Sequence, residues 1–153
     1  MLKSRTLTAL RLALLLVISV SVLVSLPGGA GGAGSFTVVV NAANPSGSLT
    51  ADEISKMFFK KMLRWTDGEK VLPVDLGEQS PVRESFSAQI HGRPTAAVKA
   101  YWQKMIFSGR DVPPLEKPSA EDALAYVRAN PGAIGYVAAG TNLGNGVKAL
   151  AVR

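Results

Sequence analysis

NPGAIGYVAAG, residues Asn130 to Gly140, changes character within three residues. Asn130-Pro131-Gly132 cannot continue a helix, because proline has no amide donor and glycine favours a turn. Ile134, Tyr136 and Val137 then form an apolar run that reads as a short strand to be buried. Gly132 fits the turn, and Gly135 inside the strand marks a close backbone approach. The stretch is a helix-to-strand junction, and its neighbours extend that reading.

Upstream, Ser119 can cap a helix that carries Ala120, Ala123, Leu124 and Val127 on one face. Downstream, VKALAV, Val147 to Val152, reads as another strand. The proline-rich DVPPLEKP, Asp111 to Pro118, is expected to be a loop. Before it, Val98, Tyr101, Trp102, Met105 and Ile106 recur at helical spacing with Gly109 just beyond, which predicts a helix supplying much of the core.

In the first half, FTVVVN, Phe36 to Asn41, predicts a strand buried on both faces, ended by the turn-rich NPSGS. Thr50 and Glu53 have capping-box spacing, and Ile54, Met57 and Phe58 share a face, so a helix is expected from about Ala51 to Phe59. Lys60, Lys61 and Arg64 read as a solvated basic corner. After the Asp67-Gly68 turn, Val71 to Leu76 predicts a strand in which Pro73 argues for an edge or a bulge. GEQSPVRESF follows, Gly77 to Phe86, with Ser80 as a helix cap, Pro81 in the first helical position and an apolar stripe at Val82, Phe86 and Ile90. Strands alternating with helices give an α/β chain, a central mixed sheet flanked by helices.

Residues 1–34 have the layout of a secretory signal peptide: Lys3, Arg5 and Arg11, then apolar residues from Leu12 to Leu26, then Pro27 and a Gly/Ala run. That apolar run is short of the roughly 20 residues of a membrane span, so no span is expected after cleavage, an uncleaved anchor being the alternative. The expected domain is 35–153, in a periplasmic or otherwise exported protein. Those three basic residues are the only charged ones before Ser35, so without them the net charge falls from +6 to +3. Such a mild excess, with Lys60, Lys61 and Arg64 as its only cluster, gives no nucleic-acid footprint.

LTADEISKMFFKKMLRWTDGEKVLPVDLGEQSPVRESF, AYWQKMIFSG and NPGAIGYVAAG together resemble the phosphate-binding-protein-like family of periplasmic substrate-binding proteins. The resemblance spans about Val38 to Val137, and GAIGYV is its most specific part. It implies a single lobe like one domain of a type 2 periplasmic binding protein, since about 119 residues are too few for the two lobes of the larger relatives. It also implies phosphate or a similar small oxyanion as ligand, bound at a helix N-terminus, and membrane transporter subunits as partners.

The family's serine in its phosphate turn corresponds to Ser80, but Pro81-Val82 replaces the Gly-Thr that follows, and Leu76 stands where a basic residue usually lies. Pro81 removes one donor. The expected oxyanion site is therefore Ser80, Val82 and Arg83, with Arg83 substituting for the missing upstream charge. An ordinary capped helix is the alternative, and Glu78 and Glu84 oppose an anion there. The alternative function is a ligand-free accessory domain that docks on a transporter, a sensor or a second copy of itself.

His91 is the only histidine and there is no cysteine, so neither a metal constellation nor a disulfide is available. No Gly-x-Ser-x-Gly elbow occurs, and no base pairs in sequence with Ser80. Neither an enzyme nor a cofactor is expected. Trp65 could stack a ligand or pack, and the sequence leaves that open.

Overall fold

The computed structural model describes residues 35–153. The expected signal peptide of residues 1–34 lies outside them.

Strand β1, Phe36–Asn41, lies inside a six-stranded mixed sheet, as its unbroken β-branched run requires. It pairs antiparallel with β5, Ala133–Ala138, and with β6, Val147–Val152, on its other side. Two short strands, β2 (Ser48–Leu49) and β4 (Leu115–Lys117), form the sheet's outer edges, and β3 (Leu72–Leu76) lies between β5 and β4. The order is β2-β6-β1-β5-β3-β4. Both edge strands were unforeseen. Two or three residues carry no readable alternation, and β4 falls within the proline-rich segment expected to be a loop.

Pro73 is reconciled locally with an interior strand. It pairs with Ile134 of β5, while the ladder to β4 begins only at Val74. At Pro73 the strand is thus still an edge on the β4 side, where a missing amide is tolerated.

Four α-helices cover the sheet: α1 (Ala51–Phe58), α2 (Pro81–Phe86), α3 (Thr95–Phe107) and α4 (Ala120–Ala129). The Thr50 hydroxyl accepts from the Glu53 amide at 3.2 Å and the Glu53 carboxylate accepts from the Thr50 amide at 2.7 Å, completing the predicted capping box. Ser119 caps α4 in the same way, its hydroxyl accepting from the Asp122 amide. The helix predicted through Ile90 departs from expectation, because α2 ends at Phe86 and the chain continues as a wider π turn, Ser87–His91.

The core is an aromatic stack against the sheet. Phe86 and Tyr136 lie nearly parallel with ring centroids 3.9 Å apart, and Phe36 and Phe58 meet them at steep angles. Burying each such ring contributes roughly 2 kcal/mol or more. Contrary to expectation, α3 adds little to this core. Only Val98 and Trp102 of α3 are buried, forming a satellite cluster with Phe59, while Ile106 is exposed. The helical period was right, but the helices that meet the sheet are α4, α2 and α1, while α3 packs on the π turn.

The NPGAIGYV junction is fixed by two contacts. A Cβ on Gly132 would lie 2.0 Å from the Lys70 carbonyl, and one on Gly135 would lie 2.7 Å from Val74 Cγ1. Gly135 is the close approach expected. Gly132 is one as well, against the Lys70 backbone, and the Trp65 indole donates to its carbonyl at 2.9 Å. Trp65 is therefore a buried anchor of this junction.

Candidate functional site

Strand β3 delivers the chain to Leu76, from which Gly77, Glu78 and Gln79 turn it into α2. The Ser80 amide donates to the Gly77 carbonyl at 2.9 Å, closing the turn. Ser80 takes the extended conformation of an N-cap, and its hydroxyl oxygen accepts from the Arg83 amide at 3.4 Å, a long bond. Pro81 occupies the first helical position. The donors available to an anion are the Ser80 hydroxyl hydrogen, the Val82 amide and the loosely held Arg83 amide.

The Arg83 side chain folds back to the end of β3, at the base of the turn. Its Nη2 lies 3.2 Å from Asp75 Oδ2, and its Nη1 donates to the Leu76 carbonyl at 2.7 Å and to Glu116 Oε2 at 2.6 Å. The Arg83 side chain is 12% exposed, so it is held between β3 and β4 rather than offered to solvent. Thus Ser80, Val82 and Arg83 do share one turn, but the charge of Arg83 is already shared by two carboxylates.

Asp75 and Glu116 were not foreseen. Asp75 had one signal, an acid in the otherwise apolar strand Val71 to Leu76. It is buried, and the Tyr136 hydroxyl and the Leu76 amide donate to it. Burial pushes its carboxyl up, against the pull of Arg83, the Tyr136 hydroxyl and the Leu76 amide. Burial works against charge on Arg83 too, but Asp75 and Glu116 outweigh it and keep the guanidinium protonated. Burial and the neighbouring Asp75 likewise push the Tyr136 phenol up, so it stays a donor. Glu116 gave no signal in sequence, since only the β3–β4 pairing, Asp75 opposite Glu116, brings it here.

A groove of about 190 Å³ opens beside Arg83, walled by Trp102, Ile106 and Pro113. Lys99 at its rim is bonded to Glu78 at 2.8 Å, which lowers the Glu78 pKa. The groove's two cations are each paired with a carboxylate. Glu84 is exposed on the first turn of α2 and adds negative charge.

The remaining candidates lie apart from this turn. His91 closes the π turn, with Nδ1 2.9 Å from the Ser55 hydroxyl. Burial first, then Arg93 and Arg83, hold its pKa down to about 4. Lys60 reaches Asp111 at 3.3 Å and Arg64 donates to the Gly68 carbonyl, so the basic corner is partly tied down. Among the described residues no group of three or more His, Asp or Glu side chains could hold a metal. No described helix is long and apolar enough to cross a membrane.

Comparison with known proteins sets this geometry in a family. No curated protein matches the sequence. Among solved structures, the chain resembles an ABC-type phosphate transport receptor from Vibrio cholerae at 22% identity and a TM-score of 0.60, over 77% of this chain and 46% of that one. A candidate phosphate ABC transporter substrate-binding protein with bound phosphate from Clostridium perfringens matches at 17% identity and 0.60, over 77% and 44%. A possible phosphate binding protein from Planctomyces limnophilus matches at 18% and 0.58, over 78% and 41%. The shared property at such identities is the fold, and the chain spans less than half the length of each of these structures. The sheet flanked by helices is thus similar to phosphate-binding protein domains, as the sequence resemblance implied. Residues 32–152 match the PBP superfamily domain, and with nearly all of the described chain inside that match, the protein belongs to this family.

Proposed function

We propose that this chain is an exported, single-lobe relative of phosphate transport receptors that binds phosphate or a similar small oxyanion at the Ser80 turn. The Ser80 hydroxyl, the Val82 amide and the Arg83 amide are its donors, and the positive end of α2 favours a negative charge. The observation that carries this reading is the Arg83–Glu116 contact. An anionic group already rests on Arg83 Nη1 at 2.6 Å, yet the Glu116 side chain is 53% exposed and can swing into water. An incoming oxyanion would then compete with Glu116 for Arg83.

That competition, the lost donor at Pro81 and the carboxylates of Glu78 and Glu84 make millimolar affinity the expectation. No catalytic step is proposed. Calorimetric titration with phosphate and sulfate tests the reading: weak saturable heat supports it, and no heat at millimolar ligand sinks it. Glu116→Gln removes the competing charge and should tighten binding.

One observation favours a second reading, an accessory domain that docks on a transporter subunit, a sensor or a second copy of itself. Phe107 is 90% exposed at the end of α3, and Ile106, Val112 and Leu115 are exposed near it in sequence. Light scattering that finds a concentration-independent monomer would remove self-association from that list, and a failed pull-down on transporter subunits would remove docking there.

A further inference from the structure

A second cleft, about 470 Å³, opens between α1 and the π turn. Its walls include Phe59, Lys61, Gln89, His91, Arg93 and Tyr101, and none of Ser80, Val82 or Arg83 lines it. The volume falls within the range of small-molecule sites.

Two departures from regular backbone converge on this cleft. Lys60 has φ 54, a left-handed conformation unusual for a residue with a side chain, and it reverses the chain after α1. Lys61 consequently lies over the Phe59 ring, 5.8 Å from its centroid. On the opposite side the π turn ends in left-handed Gly92, and the next residue, Arg93, also lies 5.8 Å from the Phe59 centroid. π turns recur at functional sites because their looser winding re-aims side chains.

The electrostatics of the cleft are unbalanced. Asp52 and Lys56 bond to each other at 2.6 Å and cancel. Lys61 and Arg93 have no ion pair among the described residues, although both border the same recess. His91 is bonded to Ser55 and neutral at pH 7, so it adds polarity without a third charge. The cleft therefore pairs two free cations with an aromatic wall, where Tyr101 stands edge-on to Phe59 at 82°.

We propose that this cleft binds a small aromatic acid, its anionic head between Lys61 and Arg93 and its ring against Tyr101. Charge-assisted bonds hold the head, and the partly buried Tyr101, backed by the buried Phe59, shields the ring from water. This site shares no residue with the Ser80 turn, so either can fail while the other stands.

Amide chemical-shift mapping on the full chain tests it, with benzoate, phenyl phosphate, inorganic phosphate and neutral benzyl alcohol as probes. Saturable shifts at Lys61 and Gln89 to Arg93 with millimolar benzoate and phenyl phosphate are expected, with benzyl alcohol far weaker. Lys61→Gln with Arg93→Gln, both at exposed positions, should weaken benzoate about tenfold or more while leaving the fold intact. Absent shifts, or benzoate shifts unchanged in the double variant, would overturn the site. Inorganic phosphate binding here as tightly as phenyl phosphate would overturn the aromatic half of the proposal.

Discussion

Replacing Arg83 with methionine keeps the length of the side chain and removes its charge. Asp75, whose side chain is 11% exposed, then loses its only cationic partner among the described residues and keeps the Tyr136 hydroxyl and the Leu76 amide. Breaking a buried pair from one side costs about 3–5 kcal/mol. Asp75 can escape part of this by staying protonated, which at pH 7 costs about 4 kcal/mol, or about 1.4 kcal/mol for each pH unit above its ordinary titration. The expected loss at pH 7 is therefore about 3–4 kcal/mol, a large share of a total stability of about 5–15 kcal/mol.

The sign of the pH dependence follows from the same linkage. Below about pH 4 the carboxyl is neutral in both folded and unfolded chains, and the deficit of Arg83→Met is small. As pH rises the unfolded chain ionises first in both proteins, since burial holds Asp75 of folded wild type above its ordinary value as well. The deficit therefore grows only over the range where Arg83 lets wild-type Asp75 ionise while that of the variant stays neutral. Urea unfolding from pH 4 to 7 measures it, and adding Asp75→Asn to Arg83→Met should recover most of the loss. A deficit below about 1 kcal/mol that is flat with pH would refute the reasoning, because Arg83 would then not be committed to Asp75.

Gly132→Ala should unfold the domain or lower its stability by several kcal/mol, since the new Cβ would meet the Lys70 carbonyl at 2.0 Å; Gly135→Ala, against the side chain of Val74 at 2.7 Å, should lose about 1–3 kcal/mol, both read by thermal melting. Ser80→Ala should cost about 1 kcal/mol through the lost cap. His91 is held neutral down to about pH 4 in the folded chain, whereas the unfolded imidazole titrates near 6.5. Its contribution is complete above pH 6.5 and is lost on acidification towards pH 4, by about 2–3 kcal/mol after allowing for partial exposure of the ring. Relative to wild type, His91→Gln should gain that amount across the window in urea melts; the opposing effect of Asp75 is common to both proteins and cancels.

How far the sequence carried depended on the range of the interactions involved. Caps at Thr50, Ser80 and Ser119 were legible because they join residues three apart, and β1, β5 and β6 because long β-branched or apolar runs have few other uses. The α3 stripe was legible as a helix but not as a satellite, since periodicity reports a face and not what it meets. At the Ser80 turn the local geometry was foreseen and the fate of Arg83 was not. Asp75 and Glu116 are separated by about forty positions, and only the parallel pairing of two strands places both against the guanidinium.

The most direct test of oxyanion binding at the Ser80 turn is amide chemical-shift titration of wild type and Glu116→Gln with inorganic phosphate at constant ionic strength. Saturable shifts centred on Val82 and Arg83, with Glu116→Gln binding several-fold more tightly than wild type, are the expected result. No shift at those amides in either protein at millimolar phosphate, or equal affinity in both, would contradict a site in which Glu116 and the ligand compete for Arg83.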